Sequence, residues 1–141
     1  EPKNNKEPFV SELIGLPNTI LTPHIGGSTL EAQENIARFV PGKIMEYINT
    51  GNTFNSVNFP NIQLPFLKDA HRLIHIHHNE PGILAKINQV LAGYNINIVG
   101  QYLKTNEKIG YVITDIDKVY EADAIEALKN IPGTIRFRTL Y

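Results

Sequence analysis

The second half of the chain alternates between the hydrophobic spacing of strands and that of helices. Leu73–His78 predicts a strand, with Ile74 and Ile76 on one face. Gly82–Tyr94 follows directly and predicts a helix, because its apolar residues recur at helical spacing. The apolar side of that helix is formed by Ile83, Leu84, Ile87, Val90 and Leu91.

Four further elements are predicted after this strand and helix. Strands are expected at Asn95–Leu103, Ile109–Asp117 and Thr134–Tyr141, and a helix at Glu121–Asn130. The resulting order, βαββαβ, is the α+β, ferredoxin-like arrangement with an antiparallel sheet. Two helices cover only one face of a four-stranded sheet. We therefore expect the other face, or the sheet edge, to meet a partner or a ligand.

A longer helix is predicted in the first half of the chain. Ser28 and Glu31 fit a capping box, so the helix should begin near Thr29. An apolar stripe recurs every four residues along it, at Ile36, Val40, Ile44 and Ile48. Pro41, which Gly42 follows, lacks a backbone donor, so a kink or a break is expected there.

The other segments before residue 71 are short. The β-rich runs 18–22 and 55–59 predict two short strands, and 61–70 is expected to be a linker stiffened by proline. The chain is thus expected to consist of residues 1–60, the linker 61–70 and the unit 71–141. Because this last unit is small for a stable core, we expect it to form a homo-oligomer.

Composition narrows the class of protein. The chain has 141 residues, 13 Lys+Arg against 14 Asp+Glu, and no Cys. The balanced charge argues against a nucleic-acid partner, and the lack of cysteine excludes disulfides and thiolate metal sites. No apolar run is long enough for a membrane span, so we expect no membrane partner and a cytoplasmic protein. Because the chain begins at Glu1 rather than Met, we expect a processed or excised piece.

The Pro-Gly turn between the first strand and helix of the 71–141 unit is a candidate binding site. A helix start exposes unpaired N–H groups and a partial positive charge, which suit a carboxylate. His77 and Asn79 flank the turn with side chains that donate and accept hydrogen bonds. The turn thus suggests a pocket for a small anion or an amino acid, and the alternative is an ordinary connection.

Other polar residues leave two interpretations open. His71, His75 and His77 share one strand face, but no third metal ligand is evident beside His75 and His77, so we expect no metal. Solvated or hydrogen-bonded histidines are the alternative.

Asn97 falls inside a predicted strand, where Asn is unfavourable. Its side chain either binds a ligand or simply faces solvent.

His24 is a candidate general acid or base. Pro23 precedes it rigidly, and Gly26 and Gly27 would let the backbone approach a ligand closely. A working histidine usually needs a carboxylate to orient it, and no G-x-G-x-x-G nucleotide fingerprint occurs in the chain. From spacing alone, an ordinary loop histidine is favoured over an active site.

Several segments together resemble the D-3-phosphoglycerate dehydrogenase family. Leu21–Thr29, continued by Glu31–Ile36, is similar to the end of the catalytic part of that enzyme, as is Ser56–Pro60. Ile76–Gly82 and Ile131–Arg136 resemble its C-terminal ACT domain of the bacterial, serine-inhibited type. The likeness covers nearly the whole chain. It implies that residues 1–60 are a remnant of the nucleotide-binding and substrate-binding domains and that 71–141 is the regulatory domain.

The resemblance also implies roles for the first segment. The parent enzyme would be an NAD-dependent dehydrogenase that converts 3-phosphoglycerate to 3-phosphohydroxypyruvate, the first step towards L-serine. His24 would be its acid/base histidine, and His24, Ile25, Gly26 and Gly27 would lie beside the NAD nicotinamide. Because the nucleotide fingerprint and the substrate-binding Arg lie upstream in the family, this chain alone is expected to be inactive and not to bind NAD.

For the regulatory domain, the resemblance implies feedback inhibition by L-serine bound between two ACT domains. His77 and Asn79 would contribute from one subunit and Asn97 from its neighbour. Backbone N–H groups near Gly82, Ile83 and Ile98 would complete the site. The alternative function is a structural dimerisation module without ligand sensing.

Overall fold

The computed structural model describes residues 6–66, 68, 70–117 and 122–140. It divides into two compact units, Glu1–Pro41 and Gly42–Tyr141. The helices are α1 (Leu30–Thr50), α2 (Ile83–Gly93) and α3 (Ala122–Lys129). The strands are β1 (His71–His78), β2 (Ile98–Thr105), β3 (Ile109–Ile116) and β4 (Thr134–Leu140). In the part of the chain so described, no helix has the length and hydrophobicity needed to cross a membrane.

The second unit confirms the predicted βαββαβ order and the antiparallel, ferredoxin-like sheet. Its strands lie in the order β2-β3-β1-β4, and each neighbouring pair is antiparallel. The central strands β1 and β3 are almost completely buried, whereas β2 and β4 form the two edges. Two predicted end residues, Glu121 of α3 and Tyr141 of β4, lie outside the described residues.

One face of the sheet packs against α2 and α3. Alternation along the central strands directs Leu73, Val112 and Ile116 to this face. The helices cover it with their buried apolar residues, which are Ile83, Ile87, Leu91, Ala124 and Leu128. Because the apolar period of each element matches its structure, this part of the core follows from the sequence pattern.

The opposite face of the sheet is covered as well, contrary to the expectation that it might be left open. Ile74, Ile76, Tyr111 and Ile113 form a second apolar cluster there, together with Ile62, which is 4% exposed. The partly buried residues that complete this cluster are Tyr47, Phe59, Leu64, Ile109 and Leu140. The chain therefore supplies its own cover for this face. The two edge strands remain open to a partner, and β2 is the more exposed of them.

The loop that covers this face, residues 52–64, is held in place by side chains that hydrogen-bond to its backbone. Thr53 Oγ1 donates to the carbonyl of Pro60 at 2.6 Å and accepts from the N–H of Ile62 at 2.9 Å. Asn52 likewise accepts from the N–H of Leu64 at 2.9 Å. Residues 55–59 form turns in this loop rather than the expected strand, because Asn55 adopts a left-handed φ of 67°. The 18–22 run is also not a strand, and Asn18 has a φ of 60°.

Helix α1 begins one residue later than the capping box predicts. The N–H of Ala32 donates to Thr29 Oγ1 at 3.1 Å, so Thr29 rather than Ser28 caps the helix. The break expected at Pro41 is wrong, since the helix continues through it to Thr50. A proline inside a helix costs about 3 kcal/mol, because it removes one backbone bond and its ring clashes with the preceding turn. None of the 21 residues of α1, all of them described, is buried.

Candidate functional site

The turn between β1 and α2 leaves the start of α2 open to an anion. Gly82 is the N-cap residue, with a φ of 90° that glycine adopts readily, and no side chain caps the helix. The first turn of α2 also contains no acidic residue. Its N–H groups and the positive end of its dipole are therefore not neutralised by a carboxylate in that turn.

The turn is fixed from two sides by hydrogen bonds. On one side, the N–H of His78 donates to the carbonyl of Gly133 at 2.9 Å. On the other, the N–H of Asn79 donates to the carbonyl of Lys108 at 3.0 Å, and its side-chain amide donates to the carbonyl of Asn106 at 2.8 Å. Asn79 is exposed. Its side chain is thus held at the surface beside the β2–β3 hairpin.

His77 lies just before the turn and is only 2% exposed. Its Nδ1 lies 2.6 Å from the carbonyl oxygen of His78. A carbonyl can only accept, so Nδ1 carries a proton, and in the neutral ring Nε2 is then an acceptor. Nε2 is buried and has no partner among the described residues. Leaving a buried acceptor unpaired costs about 1–3 kcal/mol, which a ligand donor would recover.

His75 lies next to His77 on the same face of β1. It is also 2% exposed, and the two ring centroids are 5.9 Å apart with the rings nearly perpendicular. Burial, followed by the proximity of His77, lowers the pKa of His75 to about 4, so the ring is neutral near pH 7. Among the described residues, no three His, Cys, Asp or Glu side chains are grouped so as to hold a metal ion.

Asn97 is exposed, and its side-chain amide donates to Asp117 Oδ2 at 2.9 Å. The expectation that it lies inside a strand is wrong, because β2 begins only at Ile98. After α2, Asn95 takes a left-handed φ of 54°, and the N–H of Ile96 donates back to the end of the helix at 2.9 Å. This closure delays the strand and places Asn97 in the connection before it.

The residues expected to form one site lie at opposite ends of the sheet within one chain. The β1–α2 turn is at the Ile109 end of β3, where His78 pairs with Ile109. Ile98 instead pairs with Ile116, at the far end of β3. The eight residues of β3 span about 24 Å. A site that uses both groups therefore needs a second copy of the chain.

Sequence reasoning missed several residues around His77. Gly110, which pairs with His77 across β1 and β3, and Thr134, which follows the α3–β4 turn, both contact this histidine pair. A glycine inside a predicted strand was the available signal, because it often marks a close approach of other atoms. The cross-strand register that brings these residues together is not visible in the hydrophobic pattern.

The predicted catalytic stretch His24–Gly27 belongs to the first unit and forms an exposed turn. The N–H of Ile25 donates to the carbonyl of Pro23, and the N–H of Ser28 donates to the carbonyl of Ile25, both at 2.9 Å. A Cβ added at Gly26 or Gly27 would meet nothing within 4 Å. The backbone here is therefore accessible to a ligand that lies along it.

Comparisons with known proteins agree with the resemblance noted in the sequence. Residues 73–136 match the family described as AHAS small subunit-like ACT domain. The whole chain is 51% identical over 141 residues to the D-3-phosphoglycerate dehydrogenase of Haemophilus influenzae, covering 34% of that protein. The enzymes of Escherichia coli and Dictyostelium discoideum are 50% and 44% identical, with 100% of this chain and 35% and 34% of those proteins covered. The chain thus spans about a third of the length of these curated relatives. It belongs to the D-3-phosphoglycerate dehydrogenase family and contains an ACT domain.

Proposed function

We propose that this chain is the regulatory part of a D-3-phosphoglycerate dehydrogenase and binds L-serine between two copies of its ACT domain as a feedback inhibitor. The relatives named D-3-phosphoglycerate dehydrogenase support the choice of parent enzyme. The observation that carries the proposal is the uncapped start of α2 at Gly82, whose first turn contains no acid. An amino-acid carboxylate is the ligand group that suits such a helix start.

The side chains near this helix start suit the rest of an amino acid. Asn79 lies at the surface and offers both a carbonyl oxygen and N–H groups. His77 offers an unpaired acceptor at Nε2. A ligand with a carboxylate at one end and an ammonium or hydroxyl group at the other would satisfy both kinds of partner. Because His77 is almost fully covered, its contact with a ligand requires the covering atoms to move aside.

The exposed edge of the sheet explains how Asn97 would join the site. If β2 pairs with β2 of a second copy in antiparallel fashion, the start of one strand meets the end of the other. Asn97, just before the start of β2, would then lie beside the partner's β2–β3 hairpin, to which Asn79 is bonded. Apolar side chains on β2 favour such pairing, since Val99, Tyr102 and Leu103 are 55%, 47% and 39% exposed.

The whole enzyme is proposed to oxidise 3-phosphoglycerate with NAD in the cytoplasm. NAD would supply the hydride acceptor, and residues 24–27 would lie beside its nicotinamide. The open backbone at Gly26 and Gly27 would let this segment lie along the flat nicotinamide ring. His24 would take the proton of the substrate hydroxyl. Since the chain carries no nucleotide fingerprint, it supplies only this part of the active site.

Titration calorimetry of the chain with L-serine tests the regulatory proposal. We expect saturable binding that D-serine does not reproduce. Asn79→Ala should weaken binding by about tenfold or more, because a hydrogen bond to a charged ligand group contributes about 1.5–3 kcal/mol. Asn58→Ala, at an exposed asparagine in the 51–64 loop, is the matched control and should bind like the wild type. Absence of heat at millimolar L-serine would contradict the proposal.

A structural dimerisation module is the second candidate, and the apolar edge of β2 favours it. The two functions differ in the response of Asn79→Ala. If the chain senses serine, the variant keeps its dimer mass and loses binding. If the wild-type dimer forms but binds no L-serine, the module is structural.

A further inference from the structure

We propose that Gly110, His75 and Thr134 are positioning residues that hold the imidazole of His77 in one orientation. In this arrangement Nε2 of His77 is the ring nitrogen without a partner among the described residues, and a ligand meets it only when the covering atoms move aside. The ligand part of this inference depends on the proposed function, whereas the arrangement of the side chains does not. Together, these three residues are called the His77 seat.

Gly110 lies directly against the imidazole ring of His77. A Cβ built at Gly110 would lie 2.2 Å from His77 Cε1 and 2.4 Å from Nε2, which is far inside van der Waals contact. The ring therefore occupies the space that any side chain at this position would need. A Cβ at Gly100 on the neighbouring strand β2 would instead meet its nearest neighbour, Tyr102, at an ordinary 3.4 Å. The close approach is a property of the His77–Gly110 pair.

The ring of His75 lies beside that of His77, and the hydrogen bond between His75 and Thr134 defines the tautomer of His75. Thr134 Oγ1 donates its proton to the carbonyl of Ile131 at 2.7 Å. It can only accept from His75 Nε2, which lies 2.7 Å away. His75 Nε2 therefore carries the proton. The ring of Phe137, 5.7 Å from that of His75, supports it from another side.

The backbone of β1 also turns His77 towards the seat. The register of β1 against β4 shifts between Ile76 and His77, so that His77 pairs with Thr134. Such an irregularity re-aims the side chain that follows it. When the ring is neutral and Nδ1 of His77 donates to the carbonyl of His78, the remaining nitrogen acts only as an acceptor. A ligand group that meets His77 must therefore carry a hydrogen, and a carboxylate oxygen does not satisfy this nitrogen.

Gly110→Ala tests the close approach of the His77 ring to Gly110. We expect it to weaken L-serine binding by about tenfold or more, since the ring must leave its place. Gly93→Ala is the control, because a Cβ there meets nothing within 4 Å, and it should bind like the wild type. Destabilisation by Gly110→Ala should disappear in a His77→Ala background, where the space is empty. An equal loss of stability in both backgrounds would contradict the close approach.

Thr134→Val and Thr134→Ser test the hydrogen bond between Thr134 and His75. Valine keeps the shape but removes the acceptor for His75 Nε2, so binding should fall, whereas serine keeps the hydroxyl and should restore it. Nitrogen NMR of the free protein should show His77 with Nδ1 protonated and Nε2 unprotonated. It should also show His75 with Nε2 protonated, a state that should persist in Thr134→Ser and be lost or mixed with the other tautomer in Thr134→Val.

The two readouts separate the inference from the proposed function. If the wild type shows the expected tautomers but binds no L-serine, the seat stands and the serine proposal fails. If L-serine binds while Thr134→Val changes neither affinity nor the NMR signals, the positioning role of His75 and Thr134 is wrong.

Discussion

Acidification should destabilise the fold through His75. This ring is 2% exposed, and burial lowers its pKa to about 4, compared with 6.5 for a free histidine. Well above pH 6.5 the ring is neutral in both the folded and unfolded chains, so it contributes no pH dependence there. Between pH 6.5 and 4 the unfolded chain binds a proton that the folded chain does not. The free energy of unfolding must therefore fall as the pH falls through this window.

The size of the effect follows from the two pKa values. One pKa unit corresponds to about 1.36 kcal/mol, so the full loss below pH 4 is roughly 3 kcal/mol. At about pH 5 the loss should be about 2 kcal/mol relative to about pH 7.5. This is a large share of the stability of a small domain, which is typically about 5–15 kcal/mol.

Urea unfolding of the wild type and of His75→Gln at the two pH values measures this contribution. Glutamine is neutral throughout and keeps an N–H that can donate towards Thr134. We expect the wild type to lose about 2 kcal/mol more than His75→Gln on acidification. His78→Gln, at an exposed histidine on the same strand, should behave like the wild type. Equal losses in the wild type and His75→Gln would refute the reasoning.

Three further predictions concern the sheet and the turn. Arg72→Met should destabilise the fold by about 3–5 kcal/mol in urea unfolding, because it leaves Asp115 charged and buried without its bidentate partner. Restored stability in the Arg72→Met, Asp115→Leu double variant would support this cause, and no recovery would contradict it. Tyr111→Phe removes a 2.8 Å bond to the carbonyl of Gly51 and should cost about 1–3 kcal/mol, and an unchanged urea midpoint would refute this. Glu80→Gln removes an exposed negative charge just before α2 and should tighten L-serine binding by about two- to fivefold at low salt, with a smaller effect at high salt. Calorimetry that showed weaker binding, or the same gain at both salt concentrations, would exclude the electrostatic cause.

The sequence predicted the βαββαβ unit because local preference and apolar period agree in its helices and central strands. The strand containing Ile74 and Ile76 and the helix containing Ile87 and Leu91 illustrate this agreement. The cover on the second face was not predicted. Residues 52–64 have no regular period, and their position depends on individual bonds such as those of Thr53. Hydrophobic periodicity does not detect such a segment.

The candidate site was predicted in part. The Pro-Gly dipeptide at Gly82 marks the turn and the helix start in the sequence itself. The space that Gly110 leaves for His77 depends on cross-strand register, which single-sequence patterns do not specify. The position of Asn97 was wrong because the left-handed turn at Asn95 delays β2. The assignment of the predicted site residues to L-serine stays a prediction.

A mixing experiment tests most directly whether two copies share the ligand site. Neither Asn79→Ala nor Asn97→Ala alone should bind L-serine at wild-type affinity. When the two variants are unfolded and refolded together, each heterodimer contains one site with both asparagines intact. We expect calorimetry to recover about a quarter of the wild-type sites at wild-type affinity, since random pairing makes about half of the dimers heterodimers. A mixture that binds no better than the separate variants, although heterodimers form, would show that the two asparagines do not meet across two chains.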